Sequence, residues 1–538
     1  MSVILAIDQS TSATKAILFD VSGRVVDSVS VAHHQYYPRP GWVEHDADEI
    51  YRNTLDAIRQ VLARTDTSAR EILALSLTNQ RETIVVFERG SGRPLYRAIV
   101  WQCRRGDEIC RTLAEAGYSP MVQQKTGLKI DTYFPASKLT WLFRHREDIS
   151  RSGRAGEALI GTIDTYLIYR LTRGQVFATD YTNASRTLLY NIRELTWDGE
   201  LCDLFEVPKH ALPEVRESTA LFGETDVEGI LPAPVPICGV MGDSQAALFA
   251  QRCFGPGGAK VTLGTGSSVL LNVGGRIPVS DSGIVTTIGW RYHGETTYAL
   301  EGIINFTGGT INWLRDQLGL ITDPAETEAL ARSVSDNQGV YLVPAFVGLS
   351  APYWRPEARA AILGLTPSST RQHIVRAALE SIAYRITDVM QLMTEEAGTP
   401  LQRLYADGGA ARNAVRRDVE DVFRCRHPHR LPQELLAAKS ALGAEHNEVS
   451  LLAEIDRFDV YHQLRASFYQ AGKRLLQQAP VQSRLQTPVE FTGEMVVDTP
   501  LQGEPGKCGV ENAPGAVEFV GLGDVRGEFA FECRRRNP

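Results

Sequence analysis

The sequence predicts an α/β protein built as two lobes. Three observations carry this reading. Two strand–turn–strand units of one design open the two halves of the chain, helical and strand periodicities alternate between them, and the composition is that of a globular protein with several cores. The chain has 538 residues, 43% hydrophobic and 22% charged, which excludes low-complexity disorder and collagen-like repeats. At roughly 100–200 residues per domain, this length holds two to four domains.

The first unit begins with a short apolar run at residues 3–7. Asp8-Gln9-Ser10-Thr11-Ser12 reads as a hydroxyl-rich turn, residues 16–19 as the return strand, and Val21-Ser22-Gly23 as the next turn. Residues 46–64 carry Ile50, Leu55, Ile58, Val61 and Leu62 at near-helical spacing behind an acidic first turn. A strand-like run at 71–77 ends in Thr78-Asn79-Gln80-Arg81-Glu82. The second unit runs through residues 261–263, a Gly264-Thr265-Gly266-Ser267-Ser268 turn, and residues 269–273. Further on, Ser368 and Ser369 can cap a long helix whose stripe is Ile374, Ala378, Ile382, Ile386 and Met390, and Gly398 ends it. Phe-Gly-Pro-Gly-Gly at 254–258 marks the lobe boundary, near 249–258. The expected division is therefore 1–250, 251–480, and an atypical tail at 481–538 that reads as a disordered or appended extension as readily as a domain. A weak alternation around Gly521, Gly523 and Gly527 suits a hairpin there.

Charge and cysteine usage narrow the class. Lys and Arg number 56 against 64 Asp and Glu, a net charge of −8, so neither nucleic acid nor an anionic membrane is expected as a partner. The start MSVILAIDQSTS turns polar too early for a signal peptide, and no apolar run approaches the ~20 residues of a membrane span. The eight cysteines (103, 110, 202, 238, 253, 425, 508 and 533) lack CxxC or zinc spacing and suggest free thiols in a reducing cytoplasm. Association into a homo-oligomer is left open.

The two turns are rich in backbone N–H and hydroxyl donors, which suits phosphate binding. Asp8, at the end of its strand, is placed to reach Mg²⁺ directly or through water. There is no GxxxxGK[ST] segment, and Gly264-Thr265-Gly266 lacks the later glycine of a dinucleotide fingerprint. Arg81 and Glu82 set a cation and a carboxylate side by side, able to grip adjacent hydroxyls, although such a pair taken alone is usually a surface ion pair. Trp101 offers an aromatic plate, or simply a core side chain. Asp243 follows Gly242 at a strand-to-helix junction, where an Asp can equally be an N-cap. The Asp407-Gly408-Gly409 turn lets backbone approach a flat ligand such as adenine or ribose.

Taken in order, the segments GWVEHD (41–46), TNQRET (78–83), AIVWQCRR (98–105), TDYTNASRT (179–187), GDSQAALF (242–249), GTGSS (264–268), VPAFVGLSAPYW (343–354) and DGGAARN (407–413) resemble the FGGY carbohydrate kinases and, within them, the glycerol kinase branch. The resemblance runs from Val3 to about Ala444. It implies the actin/Hsp70/sugar-kinase fold, two RNase H-like lobes around an ATP cleft. It implies Asp243 as the general base, and Arg81, Glu82 and Tyr133 as ligands of polyol hydroxyls with Trp101 as an apolar wall. Thr11, Ser12, Lys15 and Thr265 would bind phosphates, Gly308, Asn312, Gly409 and Asn413 would line the nucleotide, and Asp8 would hold Mg²⁺ through water.

The chain departs from the family pattern in places. The first turn carries Ser10-Thr11-Ser12 and Lys15 where the family usually has Gly-Thr-Thr and Arg, so bidentate phosphate binding is lost. Ser244 and Ser268 stand where glycerol kinases usually have Gln and Phe, which implies a wider and more polar pocket. Glu445-His446-Asn447-Glu448 interrupts an alanine- and glycine-rich helix expected after Ser440–Ala444. At 228–234 the segment EGILPAP replaces a Gly/Arg-rich regulatory loop, so regulation by fructose bisphosphate is not expected. The expected activity is ATP- and Mg²⁺-dependent phosphorylation of a terminal hydroxyl of glycerol or a close relative. Two readings compete with it: a kinase of a C4–C5 polyol or ketose such as xylulose, favoured by Ser244 and Ser268, and a catalytically silent nucleotide-binding sensor of the same fold. A dinucleotide-dependent dehydrogenase fails for want of the glycine fingerprint.

Overall fold

A computed structural model describes residues 2–408, apart from 66–68, 279, 281, 351–352, 354 and 356–357, together with the backbone of the strands Val517–Gly523 and Phe529–Arg535. The chain divides into two compact units, Met1–Ala479 and Pro480–Pro538. In the first unit two mixed sheets share one plan. The first has the order Leu221–Thr225, Val235–Gly242, Ile72–Asn79, Val3–Gln9, Ala13–Asp20, Val25–Ala32. The second has the order Val285–Tyr292, Glu295–Ile304, Ser267–Gly274, Gly258–Leu263, Arg403–Asp407. In each, a central strand pairs antiparallel with the strand after its turn and parallel with a later one. This is the duplicated two-lobe α/β architecture, with helices packed on the sheets.

Local chemistry explains these elements. All seven residues of Val3–Gln9 are buried, as expected of a strand covered on both faces. Helix Ala47–Arg64 is capped by Asp46, whose carboxylate accepts from the backbone N–H groups of Asp48 and Glu49 at 2.9 and 3.2 Å. Its inward face buries Ile50, Leu55, Ile58 and Val61, each contributing about 1.5–3 kcal/mol. The long helix Arg371–Ala397 packs Val375, Leu379, Ile382, Ile386 and Met390 into the second core and ends at Gly398, with φ +55°.

Three boundaries differ from the sequence expectation. Asp8 and Gln9 belong to the strand, opposite Lys15 and Thr14, so the first turn is only Ser10–Ser12. Ser267 and Ser268 likewise extend the second return strand, opposite Leu263 and Thr262. The long helix is capped by Thr370 in a capping box with His373, not by Ser368 or Ser369. Those serines are already bonded to Thr366, whose N–H donates to Ser369 Oγ at 2.9 Å.

The tail contains the anticipated hairpin, Val517–Gly523 paired antiparallel with Phe529–Arg535. Residues 440–448, where the helix was expected to be interrupted, lie outside the described residues. Among the described residues, Cys103, Cys110, Cys202, Cys238 and Cys253 are buried and free, and no helix is long and apolar enough to cross a membrane.

Candidate active site

The first turn carries charge at its base. Asp8 is 8% exposed, and its carboxylate lies 3.7 Å from Lys15 Nζ across the strand pair. Burial pushes the Asp8 carboxyl above its ordinary value, Lys15 pulls it down, and the Asp243 carboxylate pushes it up again, so Asp8 and Asp243 feel each other across one space. At the tip, Thr11 Oγ1 accepts a 3.0 Å bond from Trp101 Nε1 and the Thr11 carbonyl lies 2.9 Å from His33 Nε2. Ser12 is exposed, and its carbonyl accepts from the His33 N–H.

The second turn is made of backbone. Gly308 and Gly309 N–H groups donate to the carbonyls of Gly264 and Thr265, both at 3.0 Å, so helix Gly308–Asp316 begins directly on the turn. A Cβ on Gly308 would lie 2.5 Å from the Gly264 carbonyl oxygen, which reserves the position for glycine. Thr265 is exposed, and Asn312 lies exposed on the same helix. Gly409 and Asn413 fall outside the described residues.

Between the turns lies a closed set of ion pairs. Strand Ile72–Asn79 delivers Arg81 and Glu82 at a tight bend, where Glu82 takes φ +60°. A side chain held in that region signals backbone strain tolerated for position. Arg81, 3% exposed, places Nη2 2.8 Å from Glu301 and Nε 3.1 Å from Asp243, and Nη1 donates to Gln245 Oε1 at 3.2 Å. Arg186 joins Glu82 and Glu301, each at 2.6 Å. The two guanidiniums and two carboxylates therefore alternate around a ring, with Glu301 reaching in from the second sheet. Burial alone would push the Glu301 carboxyl up; Arg186 and Arg81 instead hold it down at about 2.

Asp243 is the exposed member, its side chain 49% accessible. It is the first residue of helix Asp243–Ala250, and the cap is Gly242, so the N-cap alternative is not realised. A Cβ on Gly242 would lie 2.7 Å from Arg81 Cγ, so the missing side chain lets Arg81 pass beneath Asp243. The Ser244 N–H donates to Asp243 Oδ1 at 2.6 Å, and Ser268 Oγ donates to Glu301 Oε1 at 2.8 Å. Trp101 and Tyr133 face one another with ring centroids 5.3 Å apart. Burial and then Glu82 push the Tyr133 phenol up, so it stays protonated and able to donate.

The structure thus joins Asp8 to Lys15, Thr11 to Trp101 and Tyr133, and Arg81 to Glu82, Asp243 and, through Glu301, Ser268, while the turn at Gly264 and Thr265 is joined to Gly308 and Gly309. Sequence reasoning missed Arg186, Gln245 and Glu301 as site components. Their signals were present: Arg186 sits in the 179–187 segment, and Glu301 is a lone carboxylate inside the apolar run Tyr298-Ala299-Leu300-Glu301-Gly302.

The model of the FGGY family of carbohydrate kinases matches its N-terminal domain to residues 3–250 and its C-terminal domain to residues 259–419. The chain is 52% identical over 410 residues to glycerol kinase 1 of Thermotoga maritima, covering 76% of this chain and 83% of that protein. It is 47% identical over 410 residues to a glycerol kinase of Alkaliphilus metalliredigens, with 76% and 82% covered. Among solved structures, Plasmodium falciparum glycerol kinase with ADP superposes with a TM-score of 0.76 at 33% identity, covering 90% of this chain and 99% of that one. The chain belongs to the FGGY family of carbohydrate kinases and is an ATP-dependent kinase.

Proposed function

We propose that this enzyme transfers the γ-phosphoryl group of ATP to a terminal hydroxyl of glycerol or a closely related small polyol. The observation that carries the reading is the exposed Asp243 carboxylate, set at a helix start 3.1 Å from buried Arg81 and sharing its space with Asp8. Kinship with glycerol kinases supports glycerol within that class.

In this reading Arg81, Glu82 and Tyr133 hold the polyol hydroxyls, Trp101 covers the carbon chain, and Ser244 and Ser268 border the same pocket. The polyol oxygen attacks the γ-phosphorus, its proton passes to Asp243, and the bond between the γ-phosphorus and the bridging oxygen breaks to leave ADP. Thr11, Ser12, Lys15 and Thr265 hold phosphates, and Gly308 and Asn312 border the nucleotide, as would Gly409 and Asn413. Among the described residues no three His, Cys, Asp or Glu side chains gather into a metal cage. That fits Mg²⁺, which binds through one or two carboxylates plus substrate phosphates and water. Asp8 would be that carboxylate: its raised pKa marks a buried charge that a cation would offset. Bound Mg²⁺ would neutralise charge on the ATP phosphates. The buried free thiols support a reducing compartment such as the cytoplasm.

ADP release from ATP and Mg²⁺, measured over a panel of C3 to C6 polyols and ketoses, tests the proposal. Glycerol or another C3 polyol should give the highest kcat/KM. A tenfold preference for a C5 ketose would replace this reading with the longer-substrate one, and no ADP release with any acceptor would favour the silent sensor.

A further inference from the structure

Lys138 has no place in the chemistry above, yet its position is unusual. It lies in the first turn of helix Pro135–His145, where the helix dipole disfavours a cation. It is fully buried, at 0% exposure. A buried ammonium without partners is costly, so its surroundings must supply acceptors. They do: Nζ donates to the backbone carbonyls of Trp101 and Tyr133, both at 3.0 Å. These are the two residues whose rings form the wall beside Arg81 and Glu82. They stand on separate loops, which also meet through the ring contact at 5.3 Å, through Thr132 Oγ1 donating to Asp107 Oδ1 at 3.1 Å, and through the core that packs Val100 and Cys103 with Phe134 and Ala136.

We propose that Lys138 is a positioning residue for the polyol, a staple that fixes the Trp101 and Tyr133 loops at one separation and thereby sets the width of the substrate wall. This rests on the polyol reading of the site. The staple is also sensitive to pH. Burial pushes the Lys138 ammonium down to about 7, against the pull of Cys103, Glu82, Asp131 and Cys110. Of these, Cys110 is itself pushed up to about 12 by burial and stays a neutral thiol near neutrality. Below that value Lys138 makes charge-assisted bonds to both carbonyls; above it a neutral amine makes weaker ones. The wall should therefore loosen as pH rises through neutrality.

The experiment compares wild type with Lys138→Met, which keeps an unbranched apolar stem one atom shorter and removes every donor, and with Lys138→Arg, which restores charge and donors. The polyol is whichever acceptor wild type turns over best, and the KM for polyol and for ATP are measured separately from pH 6 to 9. Wild type should show a polyol KM that climbs about threefold or more between pH 6 and 8, with ATP KM flat. Lys138→Met should raise polyol KM about tenfold, leave ATP KM within twofold and lose the pH step, and Lys138→Arg should recover part of the loss. If polyol and ATP KM rise together in Lys138→Met, or neither moves, the staple is only a packing element. Should Lys138→Met fail to fold, wild type decides alone: a polyol KM that is flat across neutrality overturns the proposal. Absence of turnover by wild type with any polyol would instead remove the functional reading beneath it.

Discussion

The two strand–turn–strand units have the same backbone and opposite chemistry. Each has a three-residue turn, Ser10–Ser12 in one and Gly264–Gly266 in the other, between a central strand and its antiparallel return. The residue before the last in each central strand occupies the same node. In the first unit it is Asp8, paired with Lys15 and Thr78; in the second it is Thr262, paired with Ser268 and Asp407. The carboxylate has moved one strand over, where Gln251 Nε2 donates to Asp407 at 2.6 Å and buried Lys260 donates to Thr262 at 2.8 Å. The first turn therefore works through side chains and charge, and the second through glycine backbone packed on Gly308. Duplication preserves hydrogen-bond registers, because those are fixed by the strands, and leaves side chains free to divide the labour.

This contrast can be broken at graded cost. The largest effect is expected at Asp243, the proposed base beside Arg81. Asp243→Asn should lower kcat by ~10²–10⁴ while nucleotide binding, followed by calorimetry, stays intact. Retention of a third of the wild-type kcat would show that another group takes the proton.

Next comes the charged unit. Asp8→Ala should lower kcat/KM for ATP by roughly ten- to a hundredfold, about 1.4–2.7 kcal/mol, with partial recovery at high Mg²⁺. An unchanged magnesium dependence would demote Asp8 to a strand residue.

The backbone unit should break differently. Gly308→Ala drives a Cβ to 2.5 Å from the Gly264 carbonyl, which cannot swing aside. ATP KM should rise about tenfold, inside the ~10²-fold that a misplacement of an ångström can cost. Polyol KM should hold, and an equal rise in both would mean that the second turn is not specific to nucleotide.

The smallest expected effect sharpens the comparison. Trp101→Phe keeps a ring but deletes the N–H that reaches Thr11 across the first turn. One net hydrogen bond is worth about 0.5–1.5 kcal/mol, so a two- to tenfold rise is expected in the KM of ATP and polyol alike. A change confined to polyol would show that the turn and the wall are independent.

Much of this was legible in the chain, for local reasons. Asp46 and the periodic Ile50, Leu55, Ile58 and Val61 define a helix because capping and amphipathicity act within a few residues. Gly242-Asp243 and Gly264-Thr265-Gly266 mark their junctions because glycine forces backbone choices. What the sequence did not disclose lies at long separation. Arg81 and Glu301 stand 220 residues apart, and Arg186 and Glu82 stand 104 apart. Strand alternation says which face a residue takes, but not which distant strand supplies its partner. Lys138 was hidden in the same way, since its acceptors are carbonyls and backbone oxygens leave no mark on residue identity. Turn lengths were overestimated because polar residues such as Asp8, Gln9, Ser267 and Ser268 read as loop until pairing places them in strands.

The ion-pair ring has a consequence for the electrical course of the reaction. Arg81 and Arg186 balance Glu82 and Glu301, and Asp243 then stands as the one surplus negative charge of the cluster. In the proposed reaction it takes up the polyol proton, and at that moment the cluster becomes neutral. The ring therefore acts as a local charge buffer: it carries its excess only while the polyol still holds the proton, and sheds it as the anionic phosphoryl group is handed over.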